Sequence, residues 1–230
     1  MGVYTEFGIG SINLPNLITH FKQNRDTQNY SDNFKLRIHR ALSWLKQAEA
    51  TEDLDTKFIF LWIAFNSAYA KEIKNLENKE RVNLNEFLLR ICSLDEEQTI
   101  YTLVWKNFSQ PIRLLTNNQF IFQPFWRFHN GDITERQYLK EEKDEQRHLL
   151  SALEKQNTPQ ILSILFGRLY TLRNQIIHGG ATFNSSVNRE QLKVSCQLLS
   201  LFLPTMLEIM MNNYDKLDWG KPFYPLIKNK

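Results

Sequence analysis

Between residues 58 and 70 the chain reads FIFLWIAFNSAYA, and that run leaves few folds open. Phe58, Leu61, Trp62, Phe65 and Tyr69 make a helix beginning near Asp53 apolar around most of its circumference. Such a helix has no face to give to water, so it must lie in the middle of a bundle with other helices on every side. Asn66 is the one polar side chain in its most apolar stretch. Burying an amide without partners costs about 1–3 kcal/mol, so Asn66 is expected to find one. Just upstream, Phe34, Ile38, Ala41, Leu42, Leu45 and Ala48 recur at intervals of three and four, which predicts an amphipathic helix over 32–50.

The remaining signals are helical almost throughout. Gly2, Gly8, Gly10 and Pro15 make 1–30 an irregular arm with one short helix near 14–21. Helices are expected at 84–92, at 96–106 with Asp95 as its N-cap, and at 111–115. Pro124 and Asn130-Gly131 should interrupt the segment that follows. A long polar helix is predicted from Thr134 to about Gln156, with Lys140, Asp144 and Arg147 spaced for surface pairing. Its mixed charges suit a solvated face, and its carboxylates would repel phosphate. Thr158-Pro159 offers a capping hydroxyl and a proline at the first helical position, and so launches a helix to His178 that Gly179 should stop. Asn188 with Gln191 three residues later is a capping-box arrangement for a last helix, bent at Pro204 and reaching about Asn213. The tail over 215–230 is expected to lie extended on the surface. The whole reads as a single all-α domain over 31–214, a helical bundle with extra helices inserted before the helix that ends at His178.

With 42% hydrophobic and 23% charged residues, the chain has ordinary globular composition and can bury a substantial core. A formal charge of +3 is only mildly basic, so any field attractive to nucleic acid must come from local clustering. Cys92 and Cys196 form neither a CxxC pair nor a disulfide framework, in keeping with a reducing cytoplasm. The most apolar runs fall short of a span of roughly 20 residues, and no basic region followed by an apolar core opens the chain, so neither a membrane segment nor a secretory signal is expected. No cluster of His, Cys, Asp and Glu has metal-ligand spacing, and no cofactor is implied.

The chemistry-bearing stretch is LYTLRNQIIHGG, which carries Arg173, Asn174 and His178 on the closing turns of one helix. Asn174 and His178 stand one turn apart and share a face, while Arg173 starts about 100° from Asn174, an offset its long side chain can cover. Arginine offers phosphate a planar fork of donors, and histidine is the side chain that most readily takes and gives a proton near neutral pH. Cleavage of RNA by its own 2′-hydroxyl needs a base for the nucleophile, donors on the phosphate oxygens and a proton for the leaving oxygen, with no metal required. A single histidine is hard to use as acid and base in one step, so a duplicated site is part of this reading.

A helix of the RALSWLKQAE kind, then FIFLWIAFNSAYA, and much later LRNQIIHGG, resembles the HEPN superfamily, in particular its Apea-like branch. The likeness covers about 32–213, and its specific part is the Arg-Asn-x-x-x-His signature at Arg173, Asn174 and His178. It implies a metal-independent endoribonuclease of defence or stress systems, working as a homodimer whose motif helices meet across a cleft, with an antitoxin or other regulatory protein as a further partner. The resemblance gives His178 the 2′-hydroxyl or the leaving oxygen, Arg173 the scissile phosphate, and Asn174 the histidine or the phosphate. Some HEPN proteins have lost catalysis and serve as nucleotide, nucleic-acid or protein-binding modules, which is the alternative reading. Where some family toxins carry a modifiable tyrosine two residues after the histidine, this chain has Gly180. Arg127 and Arg168 are candidates for further RNA contacts. The aromatic patch Phe120, Phe122, Phe125, Trp126 and Phe128 serves either as a plug in the side of the bundle or as a stacking surface for unpaired bases.

Overall fold

The computed structural model describes residues 13–70, 79–222, 224 and 225, with 79–81 in backbone only. Among the described residues ten α-helices follow one another: α1 Leu14–Asn24, α2 Asp32–Glu49, α3 Leu54–Tyr69, α4 Lys79–Ser93, α5 Thr99–Thr102, α6 Ser109–Thr116, α7 Gln123–His129, α8 Glu135–Glu154, α9 Thr158–Ile177 and α10 Arg189–Asn212. A π-helical turn at Leu103–Asn107 and a 3-10 turn at Gln119–Ile121 complete the order, and no strand occurs among the described residues. The fold is all-α, as the sequence pattern requires.

The apolar run at 58–70 accounts for the architecture. Helix α3 packs along α2 and α10 and also meets α9, so that Phe58, Leu61, Trp62 and Phe65 are all enclosed. Phe65 meets Phe166 of α9 at 4.5 Å between ring centres, and Phe166 meets Phe202 of α10 at 5.2 Å. Trp62 faces Tyr170 as Phe65 faces Phe166, which makes α3 and α9 antiparallel. By length and composition α10 could cross a membrane, but 78% of its most apolar window is buried, so neighbouring helices cover that surface. Its internal Pro204 is itself buried.

A second organising contact escapes sequence reading. Arg37 of α2 is 1% exposed, and its guanidinium donates to the carbonyls of Ala68 (2.7 Å), Ala70 (2.9 Å) and Gly220 (3.3 Å). It thereby satisfies carbonyls freed at the end of α3 and ties down the segment after α10. Burial lowers its pKa to about 10, against the opposing influence of Asp218. The expected surface tail is thus docked at its near end, with Leu217 packed on the core and Trp219 buried. Residues 1–12 of the expected arm and 226–230 of the tail lie outside the described residues. Asn66 Oδ1 is buried with no hydrogen-bond partner among the described residues.

Several helix starts differ from expectation, two of them because a side chain outside the expected cap captures the amides. Asp95 accepts from Thr99 and Ile100 at 2.8 Å and from Tyr101 at 3.2 Å, so the helix begins at Thr99 after a turn with Gln98 at φ 55°. Asn157, and not Thr158, caps α9 by accepting from the Gln160 amide, while the Thr158 hydroxyl accepts from Trp105. Pro124 opens α7 where an interruption is predicted, since a proline in the first turn gives up an amide that has no helical partner anyway. Asn188 has φ 58° and makes no cap to α10; its side chain is engaged elsewhere.

Candidate functional site

The close of α9 is built by its two glycines. The Gly180 amide donates to Gln175 O at 2.7 Å and the Gly179 amide to Ile176 O at 3.2 Å, the paired bonds of a Schellman ending, with Gly179 left-handed at φ 71°. A Cβ at Gly180 would stand 3.2 Å from Gln175 O, so a larger residue there would press on the last turn of the helix. His178 is the last residue before that turn. It is exposed, and its ring has no partner among the described residues.

Arg173 and Asn174 come together. Arg173 Nη1 donates to Asn174 Oδ1 at 2.8 Å, which closes the offset between them around the helix. Its guanidinium carbon lies 5.6 Å from the centre of the Tyr170 ring, and Tyr170 rests edge-on against Trp62, so the arginine is propped on the aromatic core. Both residues are half-buried. The result is a ledge on which a cationic fork, an amide and an imidazole follow one another around the helix.

Amide side chains fix what flanks the ledge. Gln175 Nε2 donates to Phe120 O, Asn188 Nδ2 donates to Gln175 Oε1 at 3.1 Å, and Asn118 Nδ2 reaches Asn188 Oδ1 at 3.4 Å. The loop 178–188 is pinned at its far end by Arg189, which lies 2.8 Å from Asp55 of α3 and donates to Ser185 O at 3.0 Å. Ile177 at the end of α9 and Phe183 and Val187 in the loop after it stand exposed, at 52%, 73% and 64%. Sequence reading missed Gln175 and Asn118 and gave Asn188 to a helix cap, because nothing in their spacing marks amides that pair across separate segments.

Two other candidates are placed differently. Arg168 is buried, with a side chain 8% exposed, and belongs to the interior: it pairs with Glu145 of α8, donates to Asn118 O at 3.0 Å and lies 4.2 Å over the Phe122 ring. Burial lowers its pKa although Glu145 works the other way. In this structure it braces α9 against α8 and the turn before α7. Arg127 is half-exposed, and its Nη1 is shared by both carboxylate oxygens of Glu141 at 3.1 Å. The aromatic patch divides in the same way. Phe122 is buried under Arg168, and Phe128 stacks on Tyr138 at 5.5 Å, whereas Phe120 and Trp126 present exposed rings.

Among the described residues no three His, Cys, Asp or Glu side chains converge as for a metal ion. Burial pushes the thiols of Cys92 and Cys196 up to about 12, which removes both as nucleophiles near neutral pH. Cavities of about 760 Å³ beside Phe21, Asp32 and His39 and about 460 Å³ beside Tyr214 and Trp219 are not lined by Arg173, Asn174 or His178. Comparison of the chain with protein-family models, curated proteins and solved structures returns no match.

Proposed function

We propose that the chain is a metal-independent endoribonuclease of HEPN type, acting in the cytoplasm as a homodimer in defence or stress response. The observation that supports this most is the 2.8 Å bond between Arg173 and Asn174 on the turn below an exposed His178. It joins a guanidinium to an amide on a helix end that also carries an imidazole, the groups this reaction needs. In the proposed reaction one His178 removes the proton of the 2′-hydroxyl, and the oxygen bonds to phosphorus while Arg173 donates to the equatorial oxygens. The bond from phosphorus to the 5′-oxygen breaks, and a second His178, from the other protomer, protonates that oxygen. The products are a 2′,3′-cyclic phosphate and a 5′-hydroxyl. The exposed apolar side chains Ile177, at the end of α9, and Phe183 and Val187, in the loop after it, suit a contact that would bring two such ends together.

Incubation of the purified chain with RNA in EDTA is expected to give cut products with cyclic phosphate ends. Arg173→Ala and His178→Ala should each reduce the rate by about 10²-fold or more, the range for loss of a charged donor or a general acid. Intact RNA in the presence of the wild-type chain, or undiminished cutting by both variants, refutes the reading. A non-catalytic HEPN-like module that binds nucleotide, nucleic acid or a protein partner is the second reading, favoured by the open form of the ledge, which none of the described cavities includes. It predicts RNA binding or stable self-association without cleavage.

A further inference from the structure

The arginines held against the body of the protein differ in what holds them. Arg127 meets Glu141, Arg168 meets Glu145 and Arg189 meets Asp55, so a carboxylate offsets each of these charges. Arg37 is enclosed by the carbonyls it binds. Arg173 is half-buried, as Arg127 and Arg189 are, yet it makes no ion pair among the described residues. What holds it is neutral: the Asn174 amide oxygen accepts from Nη1 at 2.8 Å, and the centre of the Tyr170 ring lies 5.6 Å from the guanidinium carbon.

Tyr170 precedes Arg173 by three residues and stands about 60° from it around α9, so the two side chains are neighbours on one face. Its ring meets Trp62 of α3 at 6.2 Å between centres, and Trp62 is buried against Phe58 at 6.3 Å and Phe65 at 5.8 Å. The ring beside the arginine is thus braced by the core. A cation within about 6 Å of an aromatic centre is drawn to the ring, which carries no net charge. A carboxylate in that place would attract more strongly and cancel the charge. The bond to Asn174 occupies Nη1 alone; Nε and Nη2, whose N–H groups form the side-on fork of a guanidinium, have no partner among the described residues.

We propose that Tyr170 is a positioning residue of the site: its ring holds the Arg173 guanidinium in place without neutralising it, so that an uncompensated charge and the fork of Nε and Nη2 are offered to the phosphate. This rests on the reading of the α9 end as an RNA site. Tyr170 meets no substrate and moves no proton, and its effect passes through Arg173 alone. Placement of this kind matters because a shift of about 1 Å in a reacting or binding group can cost 10²-fold in rate.

The test is a double-mutant cycle on RNA cleavage in EDTA. Tyr170→Leu, which keeps an apolar side chain and removes the ring, should lower kcat/KM about ten-fold, the range for loss of a cation–π contact. Tyr170→Phe should restore most of that rate. In an Arg173→Ala background Tyr170→Leu should change nothing further. A loss of equal size in both backgrounds makes Tyr170 a packing residue only, and no loss in either leaves it without a role; each overturns the proposal while the nuclease reading stands. A parent chain that cuts no RNA removes both. Should Tyr170→Leu unfold, the parent chain still decides: the Arg173 Nε–H resonance, assigned through Arg173→Lys, should be displaced by the Tyr170 ring current and should move when inorganic phosphate is added. An Arg173 resonance at the position of free arginine overturns the proposal.

Discussion

Replacing Arg168 by methionine separates an arginine that reads RNA from one that holds the fold. Three interactions are lost together: the pair with Glu145, the bond to Asn118 O at 3.0 Å, and the cation 4.2 Å over Phe122. Breaking a fully buried ion pair costs about 3–5 kcal/mol, but Glu145 is 23% exposed and can recover part of its hydration, which brings that contribution to about 2 kcal/mol. The orphaned carbonyl and the lost cation–π contact add about 1 kcal/mol each, offset in part by the methionine packing in the vacated space. A net loss of about 3 kcal/mol follows, which for a chain of this size lowers the melting temperature by about 6–12 °C. Thermal unfolding followed by circular dichroism reads this directly. Adding Glu145→Gln removes the unpaired carboxylate and should recover roughly half of the loss, a coupling that a double-mutant cycle measures. An Arg168→Met variant that melts with the wild type yet binds RNA more weakly would refute the interior role and return Arg168 to the list of phosphate contacts.

Two further outcomes test how the ends of helices are made. Asp53 caps α3 through the Thr56 amide at 2.8 Å, and its hydrogen bonds with Thr56 hold its pKa below the usual carboxylate value. A folded-state pKa below the unfolded one stabilises above the unfolded value and ceases to do so as pH falls through the folded value; Asp53→Ala should therefore cost about 1 kcal/mol at neutral pH, and urea titrations should show the gap closing in acid. Gly179→Ala places a Cβ at φ 71° with nothing within 4 Å, so strain alone opposes it: a loss of about 1 kcal/mol is expected, and Gly179→Asn, which tolerates this backbone, should lose less on the same titration.

Much of the fold was legible because periodicity is a local signal. The spacing from Phe34 to Ala48 and the apolar run of α3 give helices at Asp32–Glu49 and Leu54–Tyr69, within a residue or so of expectation. The capping residues Asp53 and Thr134 and the left-handed Gly179 also act through neighbours in sequence. At the candidate site the same locality made Arg173, Asn174 and His178 readable as one group on one helix end. The burial of Arg168 was not legible, since an arginine on a helix gives no sign of whether a glutamate from another helix will meet it.

The amino-acid order alone determined that this chain is helical, that α3 lies inside, and that a guanidinium, an amide and an imidazole share the close of α9; each follows from intervals of one to four residues. Tertiary structure decided which polar groups are consumed in holding the protein together. Arg37 on the carbonyls of α3, Arg168 on Glu145, and the amide chain from Asn118 through Asn188 to Gln175 join residues 13 to 70 positions apart. No short-range pattern encodes those pairings, because the desolvation that makes an unpaired buried charge or amide costly arises only when distant segments pack around it.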